Sequence, residues 1–195
     1  MTELATTPNP TKSKTGSSLR RVEDAHLILG KGRFTDNRSA AGDLHLSFVR
    51  SYLAHAKIVN IDTDAASQSD GVVAVYTMKD LLADGVKALP IGGGFNRPDG
   101  EPMPQPEWHA LANGVVRYVG EAVVAVIAET QAKAVDAAQL VEVEYEELPA
   151  VGNLAAASAP GAPLVWEEAP GNIMAQMAFG DADAVEAAFA KAHHV

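Results

Sequence analysis

The chain has 195 residues, 25 acidic against 15 basic side chains, a formal net charge of −10 and no cysteine. The missing thiols exclude disulfides, thiolate metal sites, a cysteine nucleophile and iron–sulfur clusters held by this chain. The charge speaks against nucleic-acid binding, because most faces would repel a phosphate backbone.

Hydrophobic residues make up 47% of the chain, enough for the core of one sizeable domain. No apolar run approaches the ~20 residues that span a bilayer, and a cytoplasmic setting is the default expectation. Residues 1–19, rich in Thr, Ser, Pro and Lys, lack the apolar stretch of a Sec-type signal and read as a disordered arm.

The globular part is expected from Arg20. Val22–Leu29 reads as a short helix ended by Gly30 and Gly32. Leu44, Leu46 and Phe48 alternate with His45, Ser47 and Val49, the pattern of a half-buried strand, and Lys57–Asp62 reads as a second one. Val72–Tyr76 is apolar throughout, as a strand covered on both faces would be. Thr77 then suits the N-cap of a helix running to about Ala83, with Gly85 closing it. Residues 88–108 concentrate Gly and Pro in a long loop, of the kind that is functional or ordered by a partner.

Order is expected again from Val115. Val123–Ile127 is a second fully apolar strand, and Thr130 caps a helix from Gln131 to about Leu140 whose alanines allow close approach to a sheet. Val141, Val143 and Tyr145 then alternate with Glu142, Glu144 and Glu146, giving one core face and one acidic face. Strand, helix and strand within residues 123–146 have the length of a crossover unit, which would be right-handed. Asp181–Ala192 reads as a last helix, with Asp181, Asp183 and Glu186 near its start and Lys191, His193 and His194 at its end, as the helix dipole favours. The chain stops just beyond, at Val195, and reads as cut off.

Seven collinear stretches resemble the N-terminal a/b hammerhead domain of the molybdenum hydroxylase large subunit, the xanthine dehydrogenase, aldehyde oxidase and carbon monoxide dehydrogenase family. They are Arg21–Asp24 with Gly30–Asp36, then Phe48–Ile58, Ile61–Ala66, Gly71–Thr77, Val116–Thr130, Val141–Val151 and Gly180–Ala192. The carbon monoxide dehydrogenase-like and aldehyde-oxidising branches look nearest. Two departures, Tyr52-Leu53 in place of Pro-His and Asn37 in place of an Asp, bear on the substrate branch more than on the fold.

The resemblance implies a mixed α/β fold: a hammerhead domain over residues 20–152 with a mixed sheet and packed helices. Residues 153–195 would be a linker, strand and helix leading into the molybdenum-cofactor domains. It also implies hydroxylation of an aldehyde, carbon monoxide or an N-heterocycle with water as oxygen donor. The molybdenum–pterin cofactor would be held mainly by domains beyond this chain. Electrons would leave through iron–sulfur clusters to FAD on partner chains, the small and medium subunits. The glutamate base of the family belongs to the far end of the subunit, so this chain would not be catalytic alone. The rival readings are a non-catalytic scaffold module and an inactive fragment of the same fold.

No residue is assigned a catalytic, cofactor-binding or metal role. Gly92-Gly93-Gly94-Phe95 invites a pterin reading through the family's GGGFG element, but it lies between two hammerhead strands and reads as a loop. It is not a phosphate loop either, lacking a following Lys-Ser or Lys-Thr. His55 is a ligand or base candidate, weighed against a packed histidine because no second ligand stands at metal spacing. His193-His194 is weighed in the same way against a helix-terminal charge role. Glu142, Glu144 and Glu146 are weighed between a raised pKa and a solvated face. Arg50 and Arg117 are weighed between anion stabilisation and structural pairing, and Glu121, at a turn before a buried strand, is expected to line the inter-domain cleft.

Overall fold

The computed structural model describes residues 21–35, 38–90, 96–177 and 179–194. The expected arm and the Gly92–Phe95 loop therefore lie outside the described residues, as does Asn37. The chain divides into two units, one ending at Asp43 and one starting at Leu44.

In the first unit the expected helix is a single turn, α1 (Asp24–Leu27). The chain leaves it through Gly30, whose φ of +67° is readily available only to glycine, and Lys31 N–H donates back to the His26 carbonyl over 2.9 Å.

The second unit holds two three-stranded sheets, both antiparallel. The first has the order β1 (His45–Arg50), β5 (Ala122–Ala128), β3 (Val72–Thr77). The second has the order β4 (Val115–Val116), β2 (Ala56–Asp62), β6 (Glu142–Glu147). The mixed helix and strand content is as expected, but the expected mixed sheet is replaced by these two antiparallel ones. β5 is central in its sheet, and its apolar run is the middle of the core: Val123, Val124 and Val126 are wholly buried. Helix α4 (Gln131–Ala138) packs on β1 and β5, and its Ala134 and Ala137 have no side chain long enough to hold it away. The Thr130 hydroxyl accepts from Lys133 N–H at 3.2 Å, the expected cap.

Three further expectations are corrected. First, β5, α4 and β6 form no crossover. Both edges of β5 are already paired, with β1 and β3, so the chain leaves α4 for the other sheet and pairs with β2. Second, β3 is an edge strand and is not covered on both faces. Its register shifts between Val72 and Ala74, and this bulge leaves Val73 55% exposed.

Third, β1 shows the opposite face to the core. Val49, Ser47 and His45 stand beside Val124, Val126 and Ala128, the buried side of β5. Leu46 and Phe48 share the other side with Ile127 and Ala125, and remain 47% and 38% exposed. In the same rows Ala74 and Tyr76 extend this apolar face across β3.

Helix α3 (Met78–Ala83) starts at Thr77, whose N–H and hydroxyl both donate to Asp80, at 2.8 and 2.6 Å, and Gly85 (φ +81°) closes it. From residue 153 the described residues contain α5 (Leu154–Ala157), a 3₁₀ turn at Pro170–Asn172 and α6 (Ala182–Phe189), and no strand. Asp181 caps α6, accepting from Ala184 N–H at 2.9 Å. Because α6 ends at Phe189, Lys191, His193 and His194 fall beyond its last turn.

Candidate functional site

The site builds from the Val-Arg-Tyr-Val-Gly-Glu turn between β4 and β5. Gly120, at φ +91°, lets the chain double back, and Arg50 holds the turn by donating from Nη1 to the Gly120 carbonyl at 2.8 Å. The Glu121 carboxylate reaches back to accept from Arg117 N–H, so the turn is closed by its own side chain. Burial pushes the Glu121 carboxyl above its ordinary range, partly offset by that hydrogen bond and by the Arg117 charge.

Arg117 bridges β4 and the segment around Val165 and Trp166. Its Nε donates to the Val165 carbonyl at 3.1 Å, its Nη1 to the Val115 carbonyl at 3.2 Å, and its guanidinium lies 3.7 Å over the Trp166 ring. Burial draws its pKa below the usual arginine value, against the pull of Glu121, Glu168 and Glu167. Asn172 fastens the same strap. It adopts φ +58°, its Oδ1 accepts from Val165 N–H at 2.8 Å, and its Nδ2 donates to the carbonyls of Ala157 and Pro163 at 3.0 and 2.9 Å.

Between strap and turn lies a cavity of about 450 Å³, walled by Trp108, His109, Tyr118, Trp166 and Glu168, with Arg117 and Glu121 at its base. The rings of Trp108 and Trp166 stand 6.4 Å apart, tilted by 38°. The Leu89 N–H donates to the Trp108 carbonyl at 2.7 Å, which ties the two ends of the long loop together beside the cavity.

Of the residues singled out in the sequence, Arg117 and Glu121 meet here, and Arg50 supports their turn. His55 is elsewhere: its Nδ1–H donates to the Pro149 carbonyl at 2.8 Å, a packed histidine joining β2 to the chain after β6. Glu142, Glu144 and Glu146 line the exposed face of β6, and Glu146 meets Lys57 of β2 at 3.3 Å. The rings of His193 and His194 meet edge to face, with centroids 4.7 Å apart. Sequence reasoning missed Trp108, His109, Trp166 and Asn172. For the tryptophans no local signal existed, since they lie far apart in the chain. The Pro-Gly-Asn triplet was a turn signal for Asn172.

Residues 29–149 match the family model described as "Aldehyde oxidase and xanthine dehydrogenase, a/b hammerhead domain". The chain belongs to this family. It is 41% identical over 192 residues to the nicotine 6-hydroxylase large subunit of Paenarthrobacter nicotinovorans, covering 96% of this chain and 22% of that protein. With the carbon monoxide dehydrogenase large chain of Afipia carboxidovorans the identity is 34%, covering 98% and 25%. Among solved structures, reconstituted CO dehydrogenase from Oligotropha carboxidovorans superposes with a TM-score of 0.70 at 33% identity, over 91% of this chain and 22% of that one. Quinoline 2-oxidoreductase from Pseudomonas putida 86 gives 0.61 at 39% identity, over 73% and 17%. The chain thus spans about a quarter or less of the relatives it matches.

The described part of this hammerhead domain offers no donor set for the family's metal groups. Among the described residues no three His, Cys, Asp or Glu side chains are placed to hold a metal ion. The chain has no thiolate for an iron–sulfur cluster. These residues do not fit a metal centre, and no chemical step is assigned to them. No helix among the described residues is long and apolar enough to cross a membrane.

Proposed function

We propose that this chain works as the N-terminal part of the molybdopterin-binding large subunit of a molybdenum hydroxylase, and is not catalytic alone. The observation that carries this is the match of a large subunit to 96% of this chain while the chain covers only 22% of that relative, with the hammerhead model over residues 29–149. The half-exposed apolar face of the first sheet supports it, because a face carrying Leu46, Phe48, Ile127 and Tyr76 is what a domain of a larger subunit presents to its neighbours. On this reading the molybdenum–pterin cofactor is bound by the rest of the subunit. Iron–sulfur and FAD chains are its partners, the location is cytoplasmic, and the substrate is an aldehyde, carbon monoxide or an N-heterocycle. We take residues 20–152 as the hammerhead domain and 153–195 as the connection onward.

The test is native isolation, measuring molybdenum and the masses of co-eluting chains together. About one molybdenum per chain, with larger partners, is the expected result. A monomer free of molybdenum and partners would overturn the proposal and leave a scaffold or an inactive fragment.

A further inference from the structure

We propose that the cavity between Trp108, Trp166 and the Arg117–Glu121 turn binds an ammonium or guanidinium group carried on an apolar stem. Carboxylates outnumber cationic groups in the walls. Glu107, Glu121 and Glu168 bring three carboxylates against one guanidinium. That guanidinium, Arg117, is already committed to the Val115 and Val165 carbonyls and to the face of Trp166.

His109 supplies an independent observation. Its side chain is only 7% exposed and forms part of the cavity wall. Nε2 lies 3.3 Å from a Glu107 carboxylate oxygen and 3.4 Å from Asn113 Nδ2, and among the described residues Nδ1 has no partner. A buried polar atom without a partner is costly, so this wall holds a hydrogen-bonding position that a guest can fill. Arg117 already covers one face of Trp166, and the remaining indole surface favours a cation over a neutral guest, with Leu111 and Val165 offering apolar surface to its stem. An anion would meet the carboxylates and be repelled.

The chain contains two tryptophans, and both line this cavity, so tryptophan emission reports on this site. The 195-residue chain is titrated with n-butylammonium and N-butylguanidinium chlorides, with sodium butyrate and sodium chloride at matched ionic strength. We expect a saturable change in emission with both cations and none with butyrate. Glu168→Gln, an exposed substitution on the strap, should weaken binding about five- to tenfold by removing one charged acceptor. An equal response to butyrate or to sodium chloride, or identical affinity in Glu168→Gln, would overturn the proposal.

The same chemistry has two sources. If the response to butylammonium disappears once the remainder of a large subunit is bound, the natural occupant is a Lys or Arg side chain of that remainder. If it persists, the occupant is a free amine. The titration of the chain alone does not depend on the assignment to a molybdenum hydroxylase, so either idea can fail without the other.

Discussion

Replacing Arg117 with Met tests whether one side chain holds residues 163–172 against the domain. The substitution keeps a long apolar stem but removes two charged donors and a stacked cation. Hydrogen bonds from charged groups are worth ~1.5–3 kcal/mol and a partly desolvated cation–π contact ~1–2 kcal/mol. Half-buried Arg117 belongs at the low end of each, and part of the gain is offset by its own desolvation. A net loss of about 3 kcal/mol follows, roughly a hundredfold rise in local opening at ~1.4 kcal/mol per factor of ten. The assay is amide hydrogen exchange at Val165, whose N–H is closed by Asn172, read beside the tryptophan emission. Exchange there should accelerate about a hundredfold while the amides of β5 keep their protection. Arg117→Lys should recover only part of the effect, since an ammonium lacks the planar fork that stacks and bonds at once. Unchanged exchange at Val165 in Arg117→Met would refute the reasoning.

The remaining predictions follow from named contacts. Asn172→Ala removes three hydrogen bonds and adds the cost of a positive φ, while Asn172→Gly removes only the bonds. Alanine should therefore open the strap more than glycine by about 1–2 kcal/mol in the same exchange assay. Val126→Ala deletes two buried carbons at the centre of the first sheet and should lower global stability by about 2–3 kcal/mol in denaturant melts, with transfer and cavity terms both counted. Glu121 has a raised folded pKa, so its stabilising effect is complete below the unfolded carboxyl value and is lost as pH rises through the folded one. Glu121→Gln should thus raise the melting temperature relative to wild type at pH 7 more than at pH 4; the reverse order would show that the Arg117 contact outweighs burial.

Helix starts were legible because their physics is local. Thr77 with Asp80, Thr130 and Asp181 all act within three residues, and each is found at the head of its helix. Helix ends were less legible, and α4 and α6 stop two or three residues early, where packing no longer supports them. The apolar run of β5 read as a fully apolar, buried strand, and Val123, Val124 and Val126 are buried. The same reasoning misplaced Val72–Thr77, since a short apolar run looks alike in a covered strand and in an edge strand with a bulge. For the site, Arg117 and Glu121 were legible as charges at a turn before a buried strand. Trp108, His109 and Trp166 were not.

By itself the sequence determined most of the longer strands and helices, the Thr77 and Thr130 caps, the acidic face of β6 and the family, all written in neighbouring residues or in their order. The tertiary structure decided how strands divide between two sheets and why Leu46 and Phe48 face outward. It also decided that two distant tryptophans and one arginine enclose a cavity. Those outcomes depend on which strand edge is already occupied and which long-range register wins, and no local pattern encodes that competition.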